Sequence, residues 1–325
     1  MRAVILAAGY GKRMGELTKY LPKSLIPVVN KPVLEHLIEI IKGCGIKEVI
    51  IAVGHLKDQI TSFLTKFNKN GINLIVKVAT EFSRGPIHSF SACLDEIEDE
   101  EFILIPADFL IEHSQLSKFL QMSEDHEMVL AFDEQEIKPS HTTIYVSEND
   151  GVYRVVGINS NVIGVKSEEK MLLPLLICRT NIQSFIRSSL ELKKTKVIDA
   201  VQLYLQQKNV VVAFKIKTGT WFDLDTIKDF LAANEWYLTK FVKNQQQALN
   251  MKEYFSQEIV FKAPILLGNN CQIKKNCTIG PNVSIGDETI IGRNSKIQNA
   301  IIGPRSEISS DTEIKNAIFF KSLFQ

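Results

Sequence analysis

Short apolar runs alternate with amphipathic stretches along the first part of the chain. The apolar runs predict buried strands at 4–8, 47–54, 73–79 and 102–108. Apolar residues with helical spacing predict helices at 33–41, 55–67 and 88–97. Strands that alternate with helices in this way are typical of an α/β sheet with helices on both faces. Ligands of such sheets bind beyond the carboxyl ends of the strands.

The pattern changes between residues 128 and 178, where apolar stretches predict strands without intervening helices. Further helices are expected at 181–190, 197–207 and 227–242, with a strand at 209–215. These elements together predict a Rossmann-like sheet, mixed but mostly parallel, in a domain of residues 1–242. Residues 243–258 are polar, and we interpret them as a linker.

A repeat of six residues fills the remaining segment, 259–325. Apolar residues recur at this spacing at Leu267, Ile273, Ile279, Ile285, Ile291 and Ile297. One residue is then lost, and the register is expected to resume at Ile302, Ile308, Ile314 and Phe320. Glycine and asparagine recur between these positions. Hexapeptide periodicity predicts a parallel β-helix of about three turns. Cys271 and Cys277 should lie on adjacent faces of it, which argues against a zinc ion shared by the two.

A glycine-rich cationic loop follows the first predicted strand. Gly9 and Gly11 interrupt the apolar run, and lysine and arginine side chains follow at 12, 13, 19, 23 and 31. Glycines allow backbone N–H groups to converge on an anion, and the cations suit a polyphosphate. The prolines at 22, 27 and 32 are expected to hold the next segment extended. Neither the dinucleotide fingerprint nor the P-loop motif fits the spacing.

The motif L-A-A-G-x-G-x-R-M, followed by a P-K pair and a K-P pair, resembles the signature of the sugar-1-phosphate nucleotidylyltransferases, or nucleoside-diphosphate-sugar pyrophosphorylases. This family transfers NMP from an NTP to a sugar-1-phosphate and releases pyrophosphate. The resemblance implies that Arg13 neutralises the leaving phosphates and that Lys23 bridges the α-phosphate and the incoming phosphate. It also implies nucleotide-binding roles, which fall on Leu6, Ala8, Gly9, Gly11, Thr80 and Gly85.

Two aspartates are the candidate ligands of Mg²⁺. Asp108 follows a predicted strand at the edge where ligands bind, and carboxylate oxygens suit Mg²⁺. Its alternative role is to cap the next helix. The segment G-T-W-F-D-L-D-T resembles the family's W-x-D-x-x-T element, which implies that Asp223 is the second metal ligand. We interpret Asp225 as an acid at a helix N-terminus.

The acceptor side departs from the family pattern. Thr80 stands where the family has glutamine. The E-K-P segment is absent near 158–160, with Lys166 as a possible substitute. Residues 193–195 lack the acid that the family usually has there. His88 could touch substrate, although the mechanism needs no histidine. These departures predict poor use of glucose-1-phosphate. They also leave open a non-catalytic regulatory homologue, like those in translation factor 2B or ADP-glucose pyrophosphorylase, and a non-sugar acceptor such as phosphocholine.

Composition narrows the classes of partner. The 325 residues are 45% apolar, as in ordinary globular proteins. Their net charge is only +1, so we expect no overall positive field that would attract nucleic acid or an anionic membrane. With no signal peptide or long apolar run, we expect a cytoplasmic protein with reduced cysteines. The resemblance implies a β-helix of the left-handed type, which we expect to pack laterally into a homo-oligomer.

Overall fold

The structure is a computed structural model that describes residues 1–67, 70–97, 100–139, 141–160, 165–244 and 258–320. Its strands are β1 Arg2–Ala7, β2 Pro27–Val28, β3 Lys31–Pro32, β4 Glu48–Val53, β5 Asn73–Val78, β6 Phe102–Pro106, β7 Phe109–Ile111, β8 Met128–Asp133, β9 Thr143–Asn149, β10 Val152–Ile158, β11 Glu168–Cys178, β12 Val212–Lys215, β13 Trp221–Asp223, β14 Val260–Phe261, β15 Ile265–Leu267, β16 Gln272–Ile273, β17 Thr278–Ile279, β18 Val283–Ile285, β19 Ile290–Ile291, β20 Lys296–Ile302, β21 Glu307–Ile308 and β22 Glu313–Phe319. Its α-helices are α1 Leu17–Tyr20, α2 Val33–Gly43, α3 Lys57–Lys66, α4 Pro86–Ser91, α5 His113–Met122, α6 Gln183–Glu191, α7 Val197–Gln206 and α8 Ile227–Asn244.

The chain divides into two compact units. Unit 1 contains Met1–Tyr10 and His36–Phe222, and unit 2 contains Gly11–Glu35 and Asp223–Gln325. This division differs from the predicted boundary at 243–258, of which residues 245–257 lie outside the described part of the chain. No helix in that part combines the length and apolar character needed to cross a membrane.

Unit 1 is built on a mixed sheet in the order β5-β4-β1-β6-β11-β8-β12-β10-β9. The strands β5, β4, β1 and β6 are parallel, as the alternation of strands and helices predicts. The other half is not mostly parallel, because β11 runs antiparallel to β6, β8 and β9. Consecutive strands joined by short connections pair antiparallel, so a stretch without helices between its strands cannot continue the parallel order. A separate two-stranded sheet joins β7 and β13.

The core of unit 1 lies against this sheet. Val4, Ile50 and Leu104 from three neighbouring strands are buried in one cluster with helix residues such as Phe90 and Tyr204. The predicted helix at 88–97 is shorter than expected, since α4 ends at Ser91 and a separate 3₁₀ turn covers Leu94–Glu96. The apolar periodicity therefore located the buried face correctly but overestimated the length of the helix.

In the C-terminal part of unit 2 the chain forms three short strands per turn. Each strand pairs in parallel with the strand at the same place in the next turn. Three columns result: β14, β17 and the start of β20; β15, β18 and the end of β20; and β16, β19 and β21. Partner residues are 18 apart in the early turns, as for Asn276 and Asn294. This is three hexapeptides, so the sequence period corresponds to one side of each turn.

The register loses two residues rather than one. Val283 pairs with Ala300 and Ile302 pairs with Phe319, so the spacing between partners falls to the 17 seen between Asn299 and Asn316. Each of β20 and β22 therefore contains one five-residue side. The expected continuation at Phe320 was wrong for this reason.

Recurring asparagines mark the corners between these strands. The backbone φ is positive at 270, 276, 282, 294, 299 and 316, all asparagine, and at 288, 305 and 311. Asparagine adopts the left-handed conformation at lower cost than most residues. The recurring glycines have a packing reason, because a Cβ on Gly286 or Gly292 would come within 2.5 Å of the backbone of the next turn.

Side chains of the repeat point inward in alternation, as expected for strands. Ile279, Ile285 and Ile291 are fully buried, and Cys277 and Val283, two residues before the first two of these, are buried with them. All five cysteines of the chain are free thiols.

Helix α8 contacts β18, β20 and β22, and it also contacts β2. Asn234, which is fully buried in α8, accepts hydrogen bonds from the Val29 N–H and the Ser284 hydroxyl, each at 2.9 Å. Asn30 of the same turn donates to the Ile285 carbonyl at 2.7 Å. These contacts explain why residues 11–35 group with the C-terminal strands.

Candidate functional site

The carboxyl edge of the parallel strands in unit 1 carries several of the predicted nucleotide-binding residues. Ala8 and Gly9 follow β1, Thr80 follows β5 and Asp108 follows β6. Because β5, β4, β1 and β6 are adjacent and parallel, these residues lie along one edge. The Leu6 carbonyl accepts a hydrogen bond from the Ala107 N–H, and the register pairs Leu6 with Pro106. Strands β1 and β6 therefore end at the same level of the sheet.

Gly85 is required by its own packing. Its φ is +131°, and a Cβ would lie 2.6 Å from the carbonyl oxygen of Thr195. That carbonyl accepts a hydrogen bond from the Ile87 N–H at 3.1 Å. Gly85 therefore fixes the start of α4 against residue 195 and has a structural reason for being glycine. His88 is buried in the same helix, with Nδ1 3.5 Å from a carboxylate oxygen of Glu81.

The glycine-rich loop of unit 2 closes around Thr18. Gly11 has φ +63°, and a Cβ there would lie 3.0 Å from the Thr18 methyl group and 3.3 Å from the Lys23 Cβ. The Thr18 hydroxyl donates to the carbonyls of Gly11, at 3.0 Å, and Gly15, at 3.3 Å. Glycine at position 11 thus allows the loop backbone to approach the base of the Lys23 side chain.

The segment after this loop is extended only in part. Pro27 and Pro32 lie in the short strands β2 and β3, as expected from their restricted φ, whereas the stretch before Pro27 is turned. It contains a 3₁₀ turn at Lys12–Met14, the short helix α1 and a second 3₁₀ turn at Lys23–Leu25 that begins directly after Pro22. Proline is well tolerated immediately before or at the first turn of a helix, so the restriction on φ here starts a turn and does not prolong a strand.

Asp225 brings the two predicted catalytic cations together. One of its carboxylate oxygens accepts a hydrogen bond from Lys23 Nζ at 2.9 Å, and the other pairs with the Arg13 guanidinium. The Lys23 side chain is only 10% exposed, whereas that of Arg13 is 68% exposed. A single anionic group can therefore contact both cations at once.

Asp225 does not have the helix-terminal role expected from sequence. The N-terminus of α8 is capped by Thr226 and Asp229, whose carboxylate accepts from both the N–H and the hydroxyl of Thr226 at 2.7 Å. Sequence reasoning missed the ion pairs of Asp225. The sequence did offer one signal for them. Asp225 stands two residues after Asp223, which was already predicted to bind the metal, so Asp225 was available for another contact.

The structure decides between the two readings of Asp108. The residue after it begins β7, and helix α5 starts only at His113, with Glu112 as its N-cap. Asp108 therefore does not cap a helix. Its half-buried carboxylate belongs to unit 1, whereas Asp223, which is exposed and ends β13, belongs to unit 2. Their joint role as metal ligands stays a prediction.

Comparison with known proteins decides the family. Residues 3–192, more than half of the 325 residues, match the model of the MobA-like NTP transferase domain. The chain belongs to this family. It is a nucleotidyltransferase, as the glycine-loop signature indicated. In addition, residues 261–322 match the model of the GMPPB C-terminal domain.

Two relatives cover most of this NTP transferase. The mannose-1-phosphate guanyltransferase of Candida albicans is 26% identical over 326 residues, which is 98% of this chain and 85% of the relative. The probable mannose-1-phosphate guanylyltransferase 1 of Oryza sativa is 25% identical over 283 residues, which is 84% of this chain and 74% of the relative.

A solved structure supports the fold. The crystal structure of UDP-glucose pyrophosphorylase complexed with UDP-glucose covers 74% of this chain and 98% of its own, with a TM-score of 0.63 and 20% identity. At this identity the similarity concerns the fold alone.

The altered acceptor segment of this NTP transferase has structural contacts of its own. Asn159, where the family's E-K-P segment is missing, has φ +54° and accepts a hydrogen bond from the Thr143 N–H at 3.2 Å. Asn159 therefore ties the end of β10 to β9. Lys166, the possible substitute for the missing lysine, is exposed.

Proposed function

We propose that this chain transfers the NMP group of a nucleoside triphosphate to a sugar-1-phosphate and releases pyrophosphate, giving an NDP-sugar. The observation that carries the proposal is the convergence of Arg13 and Lys23 on one carboxylate. Two cations that share a carboxylate can also share a phosphate group, since both anions present oxygens a few ångströms apart. Membership of the NTP transferase family supplies the reaction class.

The reaction needs little covalent participation from the protein. A phosphate oxygen of the sugar-1-phosphate attacks the α-phosphorus of the NTP, the bond from that phosphorus to the bridging oxygen breaks, and pyrophosphate leaves with the electron pair. Positioning and charge neutralisation supply most of the rate. Lys23, mostly shielded from water, would hold the α-phosphate against the acceptor phosphate. Arg13, whose side chain is exposed, would neutralise the departing phosphates.

The carboxylates of Asp108 and Asp223 would hold Mg²⁺. Their oxygens are the hard ligands that Mg²⁺ prefers, and two carboxylates that leave the other positions to water and phosphate are its usual arrangement at nucleotides. Asp108 directly precedes β7, and Asp223 is the last residue of its partner strand β13. When bound, the ion would neutralise charge on the phosphate oxygens of the transferred group.

GTP and mannose-1-phosphate are the substrates to test first, because several relatives are mannose-1-phosphate guanyltransferases. Glucose-1-phosphate is expected to be used poorly. A pocket built on polar contacts discriminates strongly when those contacts change, and the E-K-P glutamate and lysine are absent here.

The test is pyrophosphate release measured over a panel of NTPs, with mannose-1-phosphate, glucose-1-phosphate and phosphocholine as acceptors and Mg²⁺ present or removed by chelation. Lys23→Ala tests the site, and Lys19→Ala is its matched control, because Lys19 lies in the same segment with a 62% exposed side chain paired to Glu16. We expect turnover with GTP and mannose-1-phosphate that Lys23→Ala lowers by about 10²- to 10³-fold and Lys19→Ala retains. Binding of NTP without turnover of any acceptor would instead favour the regulatory homologue.

We also propose that the C-terminal strands form a left-handed parallel β-helix that packs laterally in a homo-oligomer. The hexapeptide period and the three columns of parallel strands support the helix. The residues after 141 contain no histidine that could serve as an acetyltransferase base, so its role is structural. Light scattering of the full chain should give a mass above that of one 36.7 kDa protomer. A monomer, or turnover of acetyl-CoA, would contradict this role.

A further inference from the structure

Three aromatic rings lie side by side at the carboxyl edge of unit 1. The ring centroid of Tyr10 is 5.0 Å from those of both His55 and Phe82, at interplanar angles near 50°. Tyr10 follows β1, His55 follows β4 and Phe82 follows β5, so each ring comes from the end of one of three neighbouring strands. None of the three has a role in the mechanism described above.

The backbone beneath these rings is shaped to hold them. Gly54, at the end of β4, has no side chain where a Cβ would lie 2.6 Å from the Phe82 ring and 2.9 Å from the Ala8 Cβ. The His55 N–H donates to the Ala8 carbonyl at 3.0 Å, which fixes the histidine against the residue before Gly9. The packing at Gly54 and the hydrogen bond of His55 therefore hold the cluster in place. Both contacts involve Ala8, and Tyr10 directly follows Gly9, so the cluster adjoins two predicted nucleotide-binding residues.

Tyr10 is the exposed member of the cluster. It is 39% exposed, while Phe82 and His55 are half-buried. A large aromatic ring left partly open to water at a ligand-binding edge, and supported from behind by two other rings, has the features of a surface on which a flat ligand stacks. The flat part of a nucleoside triphosphate is its base.

We propose that Tyr10, backed by Phe82 and His55, is the stacking surface for the nucleobase, and that it favours purine over pyrimidine nucleotides. The preference follows from area, because a bicyclic purine covers more of a tyrosine ring than a pyrimidine does. This inference rests on the proposed nucleotidyl transfer, and it adds a specificity residue to that function.

The experiment compares calorimetric titrations with Mg·GTP, Mg·UTP and magnesium tripolyphosphate for the wild type, Tyr10→Ala and Tyr10→Phe. Stacking on an aromatic residue typically accounts for roughly 5- to 100-fold in affinity when it is removed by alanine. We expect Tyr10→Ala to weaken GTP binding by about this factor and to leave tripolyphosphate binding unchanged, which also shows that the variant is folded. Tyr10→Phe should bind GTP like the wild type, because stacking does not use the hydroxyl.

Two further measurements separate stacking from a general effect on the loop. Phe82→Leu removes the ring that supports Tyr10 and should weaken GTP binding without altering Tyr10 itself. The purine H8 proton resonance of bound GTP should move upfield in the wild type and in Tyr10→Phe but not in Tyr10→Ala. Tyr20→Ala, which removes a 54% exposed tyrosine elsewhere, is the control.

The possible failures are distinguishable. Wild-type protein that binds tripolyphosphate as tightly as GTP, or Tyr10→Ala that binds GTP as the wild type does, would overturn the stacking surface and leave the phosphate site in place. A wild type that binds neither ligand would overturn the proposed function, and the stacking surface with it.

Discussion

Asp225→Asn is expected to increase the affinity of the chain for inorganic tripolyphosphate. The Asp225 carboxylate pairs with both cations that the proposed mechanism assigns to phosphate. A phosphate group must therefore compete with this carboxylate. Asparagine keeps the size of the side chain and one hydrogen-bond acceptor for Lys23, but it removes the charge that competes.

The magnitude follows from the two exposures. The pair with Arg13, whose side chain is 68% exposed, contributes about 0 to 1 kcal/mol, as surface ion pairs do. The pair with Lys23 joins a side chain only 10% exposed at 2.9 Å, and a hydrogen bond between charged groups of this kind contributes about 1.5 kcal/mol or more. Part of this remains with asparagine. We therefore expect a net gain of about 1 to 2 kcal/mol, or roughly 5- to 30-fold in affinity.

The assay is calorimetric titration with tripolyphosphate in the absence of divalent metal, at low and at high salt. The gain should shrink at high salt, because the Arg13 component is exposed and screened. Glu16→Gln is the control, since it changes the net charge equally in the same segment at a 76% exposed side chain paired with Lys19. An affinity in Asp225→Asn that equals or falls below that of the wild type would refute the competition, and would indicate that Asp225 supports the cations instead.

Three further outcomes are expected. Lys23→Ala and Asp108→Ala should each lower kcat by about 10²- to 10³-fold while the circular dichroism spectrum is retained, and wild-type turnover in either would remove that residue from the mechanism. Asn234→Ala leaves the half-buried Val29 N–H and the buried Ser284 hydroxyl without their acceptor and should lower the free energy of unfolding by about 2 to 4 kcal/mol in urea titrations, against about 1 kcal/mol for Ser284→Ala; equal losses would contradict the shared acceptor. Burial raises the pKa of the Cys93 thiol to about 12, so its reactive thiolate is scarce at neutral pH and mass spectrometry should find it unlabelled by iodoacetamide until the chain unfolds.

Much of the architecture was readable from local pattern. The strands at 48–53 and 102–106 contain continuous apolar runs, at 49–53 and 102–106, because these residues are mostly buried. The hexapeptide period is visible because each side of the C-terminal turns repeats the same requirements. Recurring asparagines such as Asn276 and Asn294 occupy corners with positive φ. In each case a short stretch of chain meets a requirement of its own conformation or of its immediate stacking neighbour.

The candidate site also has a part that the sequence predicted and a part that it did not. The resemblance carried by the glycine loop singled out Gly11, Arg13 and Lys23. The structure places a Cβ position on Gly11 3.3 Å from the Lys23 Cβ and pairs both cations with Asp225, while their roles with a nucleotide stay predictions. The sequence did not predict the turns that place Lys23, because prolines restrict φ equally in strands and at the starts of helical turns.

Contacts between residues distant in the chain were decided only by the tertiary structure. The pairing of Lys23 with Asp225 spans 202 positions, and that of Val29 with Asn234 spans 205. No local pattern in the sequence indicates such a pair, because any carboxylate or amide at the right place in space could be the partner. The insertion of β11 between β6 and β8 and the grouping of 11–35 with the C-terminal strands have the same origin. Sequence therefore determined the elements and the family of the chain, whereas the packing of those elements determined which charges and rings meet.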